Sequence, residues 1–178
     1  MLKRLFRPNP AYEAGQALYR AAAAQARAPG FYAQASAPDT VEGRFELYMI
    51  HVILAAMRLR GHGGRAAETS QVMFDAFLRG LDDAMREMGV GDLSVGKKMR
   101  KLGEAFYGRA KRYSAAIDDP AELQALVRRT LYADVAGEPA DLGAAAVAAY
   151  VRRAHDALAA QPLDALLAGE VRFPELAA

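Results

Sequence analysis

The chain has 178 residues, of which 53% are hydrophobic, so it suits one domain with a sizeable core. It contains no cysteine, which excludes disulfides, thiolate zinc sites and cysteine nucleophiles together. The formal net charge is only +2, and the longest uncharged apolar runs are well below the roughly 18 residues of a membrane span. The start, "MLKRLFRPNP", lacks the apolar stretch of a secretory signal. We therefore expect one domain over residues 1–178, located in the cytoplasm.

Residues that begin or end helices recur along the whole chain, and no convincing alternation of apolar and polar residues predicts a strand. The expected helix starts, in chain order, are Asn9-Pro10, a capping box at Asp39 and Glu42, Ser70, Ser94, a second capping box at Asp119 and Glu122, and Asp141. The corresponding helix ends are expected near Pro29-Gly30, Gly61, Gly89, Asp118, Gly137 and Ala160. The sequence therefore predicts an all-α, single-domain helical bundle of about six or seven helices.

The predicted helix that carries "FELYMIHVILAAMRLR" is apolar nearly all round between Tyr48 and Leu54, which predicts that it lies at the centre of the fold. It includes His51, which we expect to be a core histidine with satisfied hydrogen bonds. None of the three histidines has a second ligand at metal spacing, and the adjacent Asp82 and Asp83 point about 100° apart around a helix. The sequence therefore predicts no metal site, no cofactor and no catalytic residues.

One stretch, "GVGDLSVGKKM", comes within one residue of the phosphate-binding pattern G-x-x-x-x-G-K-[ST] between Gly91 and Lys98. In that pattern a Ser or Thr hydroxyl holds magnesium, whereas the ammonium group of Lys98 would repel the ion. A phosphate loop also follows a buried strand, but the preceding "SQVMFDAFLRGLDDAMREM" has the apolar spacing of an amphipathic helix. Nucleotide binding is therefore disfavoured.

The helix predicted over residues 94–118 separates apolar from basic side chains. An apolar stripe about 100° wide on a helical wheel consists of Val95, Met99, Leu102, Phe106, Ala110, Tyr113 and Ile117. Seven basic residues are assigned to the opposite half: Lys97, Lys98, Arg100, Lys101, Arg109, Lys111 and Arg112. Glu104 is the one acidic residue among them, whereas residues 113–178 hold five basic and ten acidic side chains. The seven cations are a candidate partner-binding face for nucleic acid, anionic lipid head groups or an acidic protein surface.

Small residues are repeated along one flank of the same helix. Gly96, Gly103 and Ala110 are spaced by seven, so they align and allow a second helix to approach closely. We favour a contact with another helix of this chain, because packed small residues need no external partner. The alternative is a groove in which a helix of a client protein docks.

Three segments carry a resemblance to a known family. The sequence "SQVMFDAFLRGLDDAMREMGVGDLSVGKKMRKLGEAFYGRAKRY" resembles the signature of the ubiquinol-cytochrome c chaperone family. The earlier "APDTVEGRFELYMIHVILAAMRL" and "LFRPNP" are similar to other parts of that family. The resemblance is strongest over residues 1–135, with "MGVGDLSVGKKM" and "AFYGR" most specific, and the helical C-terminal part, residues 138–178, matches weakly.

The resemblance implies a non-enzymatic assembly factor for the cytochrome bc1 complex, the ubiquinol-cytochrome c reductase. Mitochondrial relatives act with a small helical partner, bind near the ribosomal tunnel exit and hold newly made cytochrome b until it matures. The first thirty residues lack the composition of a mitochondrial transit peptide, so the chain resembles the bacterial members. The resemblance thus implies a protein client and no small-molecule substrate. The ribosome, an anionic membrane surface and a small helical partner are further candidate partners, and a peripheral position at the cytoplasmic face of the inner membrane is an alternative to a purely cytoplasmic one.

Another function stays open beside the chaperone. The basic helix over residues 94–118 is also consistent with a nucleic-acid- or ribosome-binding helical module. The near-neutral total charge and the lack of a recognition motif weaken that hypothesis.

Within the signature, we expect residues 89–98 to form a helix–helix turn. Gly89 and Gly91 would permit the chain reversal, and Asp92 or Ser94 would cap the next helix. Six methionines are candidates for an adaptable client-binding surface, although core packing is favoured because most sit on apolar helix faces. They are Met49, Met57, Met73, Met85, Met88 and Met99.

Overall fold

The computed structural model describes residues 9–89 and 92–176, except for the side chains of residues 92–95 and 97. Within these ranges the chain forms eight helices: α1 (Pro10–Gln25), α2 (Pro29–Ala33), α3 (Val41–Leu59), α4 (Gly64–Glu87), α5 (Asp92–Ala116), α6 (Pro120–Thr130), α7 (Glu138–Ala160) and α8 (Leu163–Leu167). No described residue lies in a β-strand, and the all-α prediction is confirmed. The six longer helices correspond to the predicted ones, and α2 and α8 are short additions of five residues each.

The central helix is α3, as its apolar sequence predicts. Residues 49–55 are all buried, together with Leu47 and Leu59. Helices α1, α4, α5 and α7 all contact α3. Because α3 is enclosed in this way, every long helix except α6 packs directly against one common apolar surface.

Helix α1 packs along α4, and the two helices run in the same direction. Asn9 caps α1 by accepting a hydrogen bond from Ala11 N, and its amide donates to Glu68 at 2.7 Å. Farther along, a Cβ added to Gly15 would lie 2.7 Å from the side chain of Val72. The glycine is therefore required for the close approach of the two helices.

Several helix boundaries differ from the predicted ones. Thr40, not Asp39, caps α3: its hydroxyl accepts from Gly43 N at 3.1 Å, while Asp39 pairs with Arg44 at 2.6 Å. Asp39 and Thr40 both have side chains that can cap a helix, but the carboxylate of Asp39 is engaged in the salt bridge with Arg44, so Thr40 caps α3. The predicted end of α6 at Gly137 is wrong as well.

The end of α6 and the start of α4 also differ from the predicted positions. Helix α6 ends at Thr130, and Gly137, with φ of 81°, precedes the first residue of α7. Helix α4 starts at Gly64 rather than at Ser70, and the additional residues bury the apolar side chain of Ala66.

His51 is a core histidine with both ring nitrogens satisfied, as expected. Nδ1 lies 2.7 Å from the Leu47 carbonyl oxygen, so Nδ1 carries the proton and donates. Nε2 then accepts from the hydroxyl of Tyr150 at 2.7 Å. The rings of Phe31 and Phe173 meet the imidazole edge to face. Complete burial disfavours the charged form and lowers the pKa of His51 to about 4.

The free energy of unfolding is expected to fall as the pH decreases from about 6.5 to about 4. In the unfolded chain His51 takes up a proton near pH 6.5, whereas in the folded chain it does so only near pH 4. The unfolded state therefore binds more protons in this window. The contribution of neutral His51 to the free energy of unfolding is complete above about pH 6.5. About 3 kcal/mol of this contribution is lost by pH 4. Urea unfolding at a series of pH values measures the change.

His51→Gln is the control, because glutamine keeps a polar group at this position and does not titrate. The variant should lose this part of the pH dependence. Hydrogen bonds from Arg44 and Arg152 lower the pKa of Asp39 and Asp156, so the stabilisation from those carboxylates is lost mainly below about pH 4 and to the same extent in both proteins. Equal slopes for the variant and the native chain between pH 4 and 6.5 would contradict the assignment.

Candidate functional site

Helix α5 carries an exposed positive surface on the side away from α3. We define the α5 basic face as the five exposed cations Lys98, Arg100, Lys101, Lys111 and Arg112. Within the described part of the chain, no carboxylate forms a salt bridge with any of them, and the side chain of Lys97 lies outside that part. Glu104 is exposed on the same helix. The α5 basic face therefore has cationic charge that the described carboxylates do not neutralise.

Arg109 does not belong to this face, contrary to its predicted position. Its guanidinium donates two hydrogen bonds to the Glu46 carboxylate of α3, at 2.9 and 3.3 Å. The side chains of Arg109 and Glu46 are only 24% and 13% exposed. The hydrogen bond to Glu46 raises the pKa of Arg109. Arg109 therefore joins α5 to α3, and we leave it out of the proposed binding surface.

The opposite side of α5 is packed. Phe106, Tyr113 and Ile117 of the predicted apolar stripe are buried. Phe106 contacts two aromatic residues of α4, with ring centroids 4.7 Å from Phe74 and 5.9 Å from Phe77. Val95 lies outside the described side chains. This packing fixes the orientation of α5, and with it the direction in which its cations point.

An open groove lies between the first half of α5 and the ends of four other helices. Its volume is about 550 Å³. It is lined mainly by apolar side chains: Ala23, Ala26, Arg27, Tyr32, Val41, Glu42, Arg44, Phe45, Tyr48, Leu81, Ala84, Met85, Glu87, Met88 and Leu102. We call it the apolar groove. Lys98 stands one helical turn before Leu102, so one edge of the groove adjoins the α5 basic face.

Two large apolar side chains at the groove are unusually exposed. Val41, in the first turn of α3, is 58% exposed, and Met88, at the end of α4, is 56% exposed. Charged residues also line the groove, among them Arg27, Arg44 and Glu87. An apolar floor with charged edges suits the apolar side of an amphipathic or membrane-protein helix.

The flank with Gly96 and Gly103 does not pack against another helix as favoured from the sequence. A Cβ added at either glycine would meet no described atom within 4 Å. Ala110, the third residue of that flank, lines a second cavity of about 340 Å³ together with Phe74 and Tyr107. Gly96 and Gly103 are therefore open along α5, which leaves the client-helix hypothesis in place.

The predicted turn of the signature lies at the edge of the described chain. Gly89 has φ of 81°, a left-handed conformation that favours glycine, and it directly follows the cap residue of α4. Gly91 lies outside the described residues, as do the side chains of Asp92 and Ser94. Helix α5 starts at Asp92, two residues before the predicted cap Ser94.

The methionines divide between core and surface. Met49 and Met73 are buried, and Met57 and Met99 are partly buried. Met85 and Met88 line the apolar groove. Core packing, favoured from the sequence, thus holds for Met49 and Met73, and spacing alone could not separate them from the two groove methionines.

The described residues contain no group of histidine, aspartate and glutamate side chains that could hold a metal ion. Among them, no helix is both long enough and apolar enough to cross a membrane.

The fold and the groove define an all-helical protein with an open surface for apolar side chains. Residues 33–173 match the sequence profile of the ubiquinol-cytochrome C chaperone family, and the chain belongs to that family. Its structure is similar to the crystal structure of the Cbp3 homolog from Brucella abortus, with a TM-score of 0.87 and 34% sequence identity. The similarity covers 99% of this chain and 98% of that one. No curated protein matches the sequence. The resemblance seen in the signature is thereby confirmed.

Breaking the Arg109–Glu46 pair is expected to destabilise the fold. Either Arg109→Gln or Glu46→Gln leaves a partly buried charge without its partner, at a cost of about 1–3 kcal/mol in the free energy of unfolding. The double variant should cost less than the two single changes together, because no charge is left unpaired. Urea unfolding of the four proteins measures the coupling.

The exposed pair Asp39–Arg44 provides the comparison. Both side chains are more than half exposed, so Arg44→Gln should change stability less than Arg109→Gln. Strictly additive effects at Arg109 and Glu46 would show that the pair does not join α5 to α3.

Proposed function

We propose that this chain is a non-enzymatic chaperone that assists assembly of the cytochrome bc1 complex, and that its client is newly made cytochrome b. Membership of the ubiquinol-cytochrome C chaperone family supports the assembly role. The observation that carries the client proposal is the apolar groove, where Val41 and Met88 are exposed with no described residue covering them. Exposed apolar side chains that meet at an open groove form a candidate binding surface.

The groove fits one side of a helix. Its volume is about 550 Å³, and most of the residues that line it are apolar. A helix places apolar side chains at three- and four-residue spacing along one side, and several such side chains can enter one groove. Met85 and Met88 can repack around different side chains because the thioether chain is flexible and polarizable. Cytochrome b segments that await insertion or folding would present helices of this kind.

The α5 basic face is proposed as the docking surface that places the groove near its client. Its cations can attract an anionic surface at the site of synthesis or insertion, either the ribosome or the membrane. The open flank at Gly96 and Gly103 would accept a small helical partner protein. The protein then works in the cytoplasm and associates peripherally with the cytoplasmic face of the inner membrane. Ribosome or nucleic-acid binding through α5 without a client is the second candidate, favoured by the same unpaired cations.

Deletion of the gene is expected to lower the amount of assembled cytochrome bc1 complex and of cytochrome b, while most other membrane complexes stay at normal levels. The physical reason is that apolar segments without a chaperone aggregate or are degraded before they mature. Haem spectra and native electrophoresis of membranes measure both quantities. Normal levels in a deletion strain that has no paralogue would rule out the assembly role.

A polar groove is expected to lose the client and keep the fold. Val41→Glu with Met88→Lys replaces the two exposed apolar side chains without a change in net charge. The new charges stand at a helix start and a helix end that favour their signs, so the melting temperature should change little. The double variant should fail to restore cytochrome b and bc1 levels in the deletion strain.

The matched control is Tyr12→Glu with Leu142→Lys. These residues are also exposed and apolar, at 52% and 64%, but they lie on α1 and α7 and do not line the groove. The control variant should complement the deletion. If both double variants complement equally, the groove is not the client site.

A further inference from the structure

We infer that the α5 basic face binds the anionic surface of a lipid bilayer directly, and that it holds the chain against the membrane with the apolar groove at its edge. The inference rests on the proposed function in one respect only: it uses the α5 basic face that is proposed there as the docking surface. It concerns a property of the purified protein, so it can fail while the requirement for bc1 assembly stands.

The geometry of the face matches a flat, negatively charged surface. The five cations lie between Lys98 and Arg112 on a single helix, a span of about 21 Å at the rise of an α-helix. All five are exposed, and Arg109, the remaining described cation of the segment, is turned inward to Glu46. On a helical wheel the five cations occupy an arc of about 160° on the side of α5 away from α3, an arc that also holds the exposed Glu104, and Lys101 and Arg112 lie within about 20° of each other. Several of them can therefore reach lipid phosphates together.

The charge of this face is available for an external partner. Elsewhere on the described surface, isolated cations such as Arg20 and Arg153 also lack a carboxylate partner, whereas Arg44, Arg128 and Arg152 lie in salt bridges with carboxylates of this chain. None of the five cations of the α5 basic face does so with the residues that the structure describes. Residues 113–178 are predominantly acidic, so an anionic surface attracts α5 and repels that part.

Two observations favour a bilayer over a nucleic acid. Tyr107 lies at the edge of the α5 basic face, where the residue is 63% exposed, and tyrosine prefers the interface between water and lipid. The adjoining apolar groove exposes Val41 and Met88, which hydrocarbon can accept and a phosphate backbone cannot.

Binding of this kind is moderate and depends on salt. Each cation near an anionic bilayer strengthens binding about fivefold, so removal of two should weaken it about 25-fold and reversal by more. Added salt screens the attraction over about 10 Å or less, so binding should be lost at high ionic strength.

The test is co-sedimentation of the full chain with vesicles. One set contains phosphatidylcholine with about 30% phosphatidylglycerol and the other phosphatidylcholine alone, at about 50 and 300 mM salt. We expect binding to the anionic vesicles at low salt only. Lys101→Glu with Arg112→Glu should lower that binding at least about 25-fold with an unchanged melting temperature, because both side chains are exposed.

The matched control is Arg20→Glu with Arg153→Glu, which makes the same change in charge at exposed residues of α1 and α7. It should bind anionic vesicles at least tenfold more tightly than the α5 variant. Equal loss in both variants would overturn the inference, because net charge alone would then explain binding. Unchanged binding of the α5 variant would overturn it as well. Tighter binding to single-stranded polyuridylate than to the vesicles, lost in the α5 variant, would assign the face to nucleic acid instead.

Discussion

The burial of α3 on all sides is the constraint from which the rest of the fold follows. A helix that is apolar nearly all round cannot remain in contact with water, so α1, α4, α5 and α7 must surround it. The one titratable group in its middle, His51, is accommodated because the Leu47 carbonyl and the Tyr150 hydroxyl satisfy both ring nitrogens. Tyr150 belongs to α7, so the same hydrogen bond joins the C-terminal part of the chain to the central helix.

Among the residues that the structure describes, the enclosure is incomplete at one end, and the candidate site lies there. Around the middle of α3 the surrounding helices pack closely, as in the aromatic cluster of Phe74, Phe77 and Phe106. At the start of α3 the end of α4 and the first half of α5 leave the apolar groove open. The Arg109–Glu46 pair joins α5 to α3 and so holds one wall of the groove in place. A stable core and an open binding surface are thus built on the same central helix.

Much of the fold follows from local sequence signals, whereas the groove does not. The caps at Asn9 and Asp119, the central position of α3 and the packed side of α5 could all be predicted, because each depends on residues close together in sequence. The groove combines side chains of five helices, from Ala23 to Leu102, and no spacing within one helix indicates that they meet. For the same reason the sequence pattern assigned Arg109 to the basic face, because its partner Glu46 lies on another helix.

Photo-crosslinking from within the groove tests the central claim most directly. A photoreactive amino acid in place of Met88 would sit on the exposed edge of the groove, and one in place of Leu142 would be equally exposed on α7. During active synthesis of the bc1 complex, the probe at residue 88 should capture cytochrome b and the probe at residue 142 should not. Capture of cytochrome b at neither position, or equally at both, would contradict a chaperone that holds its client in the apolar groove.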